Sequence, residues 1–161
     1  MYMITKNRAW GKLLVALIVC QLAGAIGSIF TASKIPSWYA GLVRPVFSPP
    51  NWIFGPVWTT LYLLMGFALY IVWTSESPKK KTALTVFGIQ LFLNALWSFL
   101  FFGLQNPFFA FLEIILLWVS ILLSMIFFYP IAKKAMWLLV PYILWVSFAS
   151  VLNFAIWQLN P

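Results

Sequence analysis

The sequence predicts an all-α integral membrane protein, a bundle of five transmembrane helices. Three observations carry this. Only 7% of the 161 residues are charged against 64% hydrophobic, with a mean hydropathy of +0.99, whereas a soluble domain carries about a quarter charged residues. The uncharged runs are long enough to cross a bilayer, which takes about 20 residues of helix. The basic residues cluster in alternate connections between those runs. At this length, residues 1–161 form a single membrane domain.

The first helix is predicted over 10–32, because Leu13 to Ser33 carries no charge. Lys6, Arg8 and Lys12 precede it, as in a signal peptide. A signal's apolar core, however, is only about 7–15 residues, so the favoured reading is a retained span. The uncharged run from Pro45 to Ser75 is broken by Ser48-Pro49-Pro50-Asn51. Proline fixes φ and restricts the residue before it, so the second helix is expected over 51–74. It ends at the hydrophilic turn Ser75-Glu76-Ser77-Pro78-Lys79-Lys80-Lys81. Thr82 to Ala132 is too long for one span, and Gly103-Leu104-Gln105-Asn106-Pro107 divides it into helices over 82–102 and 107–128, with Pro107 placed as a first helical residue. Tyr129-Pro130 closes the fourth, and the fifth is expected over 134–157.

With five spans, the N-terminus and the second and fourth connections carry Lys6, Arg8, Lys12, Lys79, Lys80, Lys81, Lys133 and Lys134, while the other side has only Lys34 and Arg44. The positive-inside rule then places the N-terminus in the cytoplasm and the C-terminus outside. The first connection, about 33–50, is the only long one. Trp38, Tyr39, Val43, Val46 and Phe47 make it too apolar for a freely solvated loop, and it is expected to act as a lid over the outer mouth.

The formal charge of +8 reads as topology signals and contact with anionic headgroups. Nucleic-acid binding is not expected, because the basic groove it needs is missing. The chain has no histidine, which excludes imidazole metal ligands and a histidine base. No metal site is expected. Cys20 is the single cysteine, mid-span, and reads as a small packing residue.

Ten tryptophans are present. Trp10, Trp38, Trp52, Trp73, Trp137 and Trp157 fall near helix ends, as an interfacial belt would. Trp58, Trp97, Trp118 and Trp145 do not. On the second helix Asn51, Phe54, Trp58, Tyr62 and Met65 share a face; on the third, Gln90, Asn94, Trp97 and Phe101, with Ser98 adjacent; on the fifth, Tyr142, Trp145, Ala149 and Asn153. Amides are costly against lipid tails, so these faces should turn inward. Periodicity allows either a packed core or a ligand pocket. Depth favours a lidded cavity, since the unusual residues gather below the aromatic loop. Glu113, the only acid inside a span, is either a structural or a functional group. No basic partner at its depth supports an ion relay. Ala23-Gly24-Ala25-Ile26-Gly27-Ser28 permits close helix approach, within one protomer or between two.

Taken together, these stretches resemble the translocator protein family, also called peripheral-type benzodiazepine receptors or tryptophan-rich sensory proteins. Trp38-Tyr39-Ala40-Gly41-Leu42-Val43-Arg44-Pro45, leading through Phe47-Ser48-Pro49-Pro50-Asn51-Trp52 to Trp58 and Tyr62, looks like the family's first loop and second helix. Gln90 to Ser98 resembles its third helix, and Leu139 to Ala149 with Leu152-Asn153 its fifth. The resemblance covers nearly the whole chain and implies a member of bacterial type in the cell membrane, often a homodimer, with a cavity closed by the first loop. It implies porphyrin, protoporphyrin IX above all, or drug-like hydrophobic ligands; membrane lipid is the other partner, and no cofactor is required. The implied ligand-binding residues are Tyr39, Trp58, Tyr62, Asn94, Trp97, Trp145 and Ala149. Trp58 and Trp145 match the tryptophans associated with light- and oxygen-dependent porphyrin breakdown in some members, and are the candidate catalytic residues. The fifth helix ends without the basic residue of the animal pattern, which leaves cholesterol recognition in doubt.

The chemistry of these residues is compatible with that implication. Porphyrin is a flat π-system, and tryptophan faces offer stacking surface without metal coordination. Trp58 and Trp145 would stack and donate electrons to an excited porphyrin, Asn94 would hydrogen-bond a carbonyl or pyrrole, and Arg44 or Lys34 would meet a propionate at the mouth. A porphyrin-binding sensor, a porphyrin-degrading enzyme and a tetrapyrrole or lipid transporter are the three functions this leaves.

Overall fold

The computed structural model describes residues 2–160, with side chains from Ala9 onward; the side chains of Lys6 and Arg8, counted above for topology, lie outside the described residues. Six α-helices make five spans: α1 (Tyr2–Thr31), α2 (Phe54–Trp73), α3 (Lys80–Ser98), α4 (Pro107–Phe128), and the pair α5 (Lys133–Leu138) and α6 (Val140–Leu159). Five stretches have the length and composition to cross a membrane: Ala9–Thr31, Asn51–Trp73, Lys80–Gly103, Pro107–Phe128 and Lys133–Leu159. There is no strand among the described residues. The chain is a multi-pass α-helical membrane protein.

Local chemistry sets the helix ends. Pro50 is extended at φ −57° and ψ 140° and leads into a 3-10 turn at Asn51–Ile53, from which α2 starts. Helix α3 runs on as a π-helical turn over Phe99–Gly103, a widening in which the Leu104 N–H reaches the Phe99 carbonyl at 2.8 Å. Gln105 then turns left-handed at φ 53°. The Asn106 side chain caps α4 by accepting from the Phe109 N–H at 3.0 Å, with Pro107 in the first turn, where its missing N–H costs nothing.

Two boundaries differ from the sequence expectation. Helix α1 starts at Tyr2 rather than near residue 10, since nothing in the basic N-terminal segment breaks a helix. The fifth span is two helices joined at Leu139, not one. Pro141 has no N–H to continue the ladder, and α6 restarts with the proline in its first turn.

Helix α1 packs on α2 and α3, α3 on α4, α4 on α6, and α2 on α5, so the spans close into a ring. The larger core is built around Met65, Phe87, Leu117, Ile121, Phe128 and Tyr142. A smaller cluster under the first connection contains Tyr39, Phe101, Phe102, Ala110, Leu152 and Ile156. Leucines, isoleucines and phenylalanines such as Leu22, Ile29, Phe92, Leu116 and Leu144 are exposed on the outside, which is stable only against lipid.

The first connection is ordered against the bundle. Tyr39 is buried, and the Trp38 ring packs edge-on against Phe101 at 5.5 Å. Trp38 therefore serves the lid rather than the interfacial belt, unlike Trp10, Trp52 and Trp137, which are 62%, 73% and 64% exposed. Asn160, at the end of α6, holds the strap from the far side. Its Oδ1 accepts from the Val43 N–H at 3.0 Å, and its Nδ2 donates to the Val43 carbonyl at 3.0 Å. One side-chain amide thus pairs with both polar groups of a backbone residue.

Candidate ligand cavity

The shared face of α2 and the 3-10 turn before it brings Asn51, Phe54, Trp58 and Tyr62 to one cavity wall; α3 with its π turn supplies Asn94, Trp97, Ser98, Phe101 and Phe102; α6 supplies Trp145, Ala149, Leu152 and Asn153. Tyr39 and Ile35 of the strap complete the outer end. The cavity measures about 710 Å³, a size suited to a small-molecule ligand. Its lining is chiefly apolar and aromatic, with a few amides and hydroxyls.

The seven residues expected to bind ligand, Tyr39, Trp58, Tyr62, Asn94, Trp97, Trp145 and Ala149, all line this one space. Met65, Gln90 and Tyr142, read on the same faces, do not line it. They form a supporting layer instead. Tyr62 Oη donates to Asn94 Oδ1 at 2.5 Å, Asn94 Nδ2 donates to Tyr142 Oη at 3.1 Å, and Tyr142 Oη donates to Gln90 Oε1 at 3.0 Å. All four side chains are buried, and the chain of bonds crosses from α2 through α3 to α6, where losing a partner is costly. Asn94 is therefore committed first to fixing the wall, with one amide hydrogen and part of its oxygen left toward a ligand.

The aromatic rings are held as well. Trp58 stacks on Tyr62 at 5.5 Å and 27° and meets Tyr142 edge-on at 6.2 Å. Trp97 stacks on Phe101 at 5.1 Å and donates its indole N–H to Asn153 Oδ1 at 3.0 Å, while Asn153 Nδ2 donates to the Pro107 carbonyl at 2.8 Å. Trp145 packs edge-on to Phe54 at 5.9 Å, and its Nε1 is buried with no partner. Trp118, the fourth off-belt tryptophan, lies outside the lining and donates to Ser147 Oγ at 2.8 Å. Its role is to join α4 to α6.

Sequence reasoning missed one whole wall. Gly24, Ala25, Gly27, Ser28 and Thr31 of α1 also line the cavity. The signal was present as the small-residue run, but spacing alone did not say what would approach it. The approach is within the protomer. A Cβ on Gly24 would sit 2.3 Å from the Tyr62 ring, and one on Gly27 2.9 Å from Ser98 Oγ. The exposed lining residues Ala25 and Ser28 of α1, Ala32 just after it, and Gly55 and Thr59 of α2 put the open side between these two helices, facing lipid. Gln21 Nε2 bridges to the Thr59 carbonyl at 3.2 Å.

Glu113 lies on α4 outside the lining, 5% exposed, with neither carboxyl oxygen partnered. Lys34 does not line the cavity, nor does Arg44. The Arg44 guanidinium nonetheless sits at its rim, donating from Nη1 to Asn51 Oδ1 at 3.2 Å and lying 5.5 Å over the Tyr39 ring.

Fold and cavity define the class: a small five-span membrane protein with an aromatic cavity among its helices under an ordered first loop. Comparison with known proteins identifies the family. The TspO/MBR family model matches residues 16–158, and the chain belongs to that family. The tryptophan-rich protein TspO of Archaeoglobus fulgidus is 46% identical over 149 residues, covering 92% of this chain and 97% of its own. The translocator protein of Homo sapiens is 35% identical over 138 residues, covering 84% and 82%. The tryptophan-rich sensory protein of Cereibacter sphaeroides is 32% identical over 154 residues, covering 96% and 94%. This is a membrane protein of the sensor and translocator family.

Proposed function

We propose that the chain is a membrane receptor or sensor that binds porphyrins such as protoporphyrin IX, and other flat hydrophobic molecules, in the cavity under its first loop. The observation that carries this reading is the convergence of Tyr39, Trp58, Tyr62, Asn94, Trp97, Trp145 and Ala149 on one space of about 710 Å³. Flat rings and a few amides suit a flat, largely apolar ligand with polar atoms at its edge. With no histidine in the chain, an iron centre would find no imidazole, which favours the metal-free porphyrin. The membrane orientation belongs to the same proposal, with the lid and C-terminus outside and the lysine-rich connections in the cytoplasm.

Titration of the purified protein with protoporphyrin IX in the dark should give saturable tryptophan quenching, weakened by Trp145→Phe. Linear, non-saturable quenching would overturn the reading. A second reading is favoured by Trp58 and Trp145 lining the same cavity, which puts two oxidisable rings in place to face a bound porphyrin. Under light and oxygen, degradation as a function requires a defined product whose yield falls in Trp58→Phe and Trp145→Phe. Bleaching indistinguishable from that of free porphyrin rejects it.

A further inference from the structure

We infer that Arg44 and Ser48 form an anion subsite at the mouth of the cavity, taking a carboxylate at the edge of the bound molecule. This rests on the cavity reading above and adds the polar end of the ligand to it. Beside the main cavity, Leu42, Arg44, Pro45, Ser48, Pro49 and Pro50 line a second, mostly polar recess. Three of the six are prolines, whose fixed φ limits how far the recess can deform. Only two of its side chains can donate hydrogen bonds, and both have capacity to spare. Ser48 Oγ is buried without a partner, and Arg44 uses one N–H, on Asn51, of the five a guanidinium carries.

The guanidinium is held at the boundary between recess and cavity. Asn51, which accepts from it, and Tyr39, whose ring lies beneath it at 5.5 Å, both line the main cavity. Among the described residues no acidic side chain satisfies it. The two acidic side chains are Glu76 and Glu113. Glu76 follows the far end of α2, a helix-length of about 30 Å from the lid, and Glu113 is buried without a hydrogen-bond partner. Arg44 is also one of only two basic residues on the lid side, against eight on the other. A planar fork with free N–H groups suits a carboxylate better than a point charge would. A molecule with a flat apolar body and a peripheral carboxylate would bury its rings among the tryptophans and bring its charge to this rim.

The test compares protoporphyrin IX with its dimethyl ester, titrated in the dark against detergent-solubilised wild-type protein and Arg44→Gln. Wild type should bind the diacid about five- to tenfold more tightly than the ester, the worth of one partly exposed charge-assisted hydrogen bond. Arg44→Gln should bring that ratio to about one, and Ser48→Ala should lower it partway. Equal wild-type affinities would overturn the subsite and leave the cavity reading standing, as would a ratio that survives Arg44→Gln. A variant that loosens the lid without touching an anion site weakens both ligands together and keeps the ratio. Failure of both ligands to bind wild type would remove the cavity reading and the subsite with it. Repeating the wild-type comparison in nanodiscs with and without anionic lipid separates a ligand carboxylate from a lipid phosphate. If phosphate is the true occupant, the preference for diacid disappears when anionic lipid is present.

Discussion

At the scale of single residues, glycine and hydroxyl positions explain more of the cavity than the tryptophans do. Gly24 lets the Tyr62 ring reach α1, and a Cβ there would overlap it at 2.3 Å. Because Tyr62 is buried and tied to Asn94, the ring cannot swing away cheaply. Gly24→Ala should destabilise the detergent-solubilised protein by about 1–3 kcal/mol, whereas Gly88→Ala, with nothing within 4 Å of the new Cβ, should be neutral or stabilising. Thermal unfolding of the two variants checks the contrast. Tyr142→Phe removes the donor to Gln90 and the acceptor for Asn94, stranding two buried amide groups at a cost of about 1–3 kcal/mol each. Tyr62→Phe strands only the Asn94 oxygen. The double variant should cost less than the sum of the singles, since both remove parts of one network.

At the scale of elements, the strap over the cavity is held by packing and by one side-chain clamp. Trp38 and Tyr39 rest on Phe101 and Phe102, while Asn160 pairs with both backbone groups of Val43. Asn160→Ala removes both the acceptor for the Val43 N–H and the donor to its carbonyl. The expected outcome is faster hydrogen exchange at the Val43 amide, by about three- to tenfold for the loss of one exposed hydrogen bond, with exchange in α2 and α3 unchanged. An unaltered Val43 rate would show that aromatic packing alone holds the strap. The π turn at Phe99–Gly103 belongs to the same scale, since it supplies Phe101 and Phe102 under the strap.

At the scale of the whole molecule, the ring of spans surrounds a cavity that opens between α1 and α2, and the asymmetry of eight basic residues against two sets the proposed orientation. In intact cells, on a Cys20→Ser background, Val46→Cys should react with a membrane-impermeant thiol reagent and Lys80→Cys should react only after permeabilisation. Val46 is fully exposed at the lid, and Lys80 begins α3 at the other end. The reverse labelling pattern would invert the topology without altering the fold.

The parts of this protein written in its sequence are those set by solvent and by local backbone chemistry. Uncharged length gives the spans, proline and asparagine give their ends, and the period of aromatics and amides marks the faces of α2, α3 and α6 that turn inward. These are properties of a helix in lipid and need no partner to be evaluated. Other features depend on which helix lies beside which. The small-residue run of α1 was visible as spacing, yet only the ring closure showed that Gly24 and Gly27 meet Tyr62 and Ser98. The assignment of Trp118 to Ser147 and the displacement of Met65, Gln90 and Tyr142 from lining to support were equally decided by neighbours. By itself the sequence determined a five-helix membrane bundle and the residues that could face a ligand, because burial against lipid acts on each helix separately. Whether those faces pack shut or enclose a cavity was decided by the tertiary structure, because that depends on the distance between helices, which side chains on different spans set jointly.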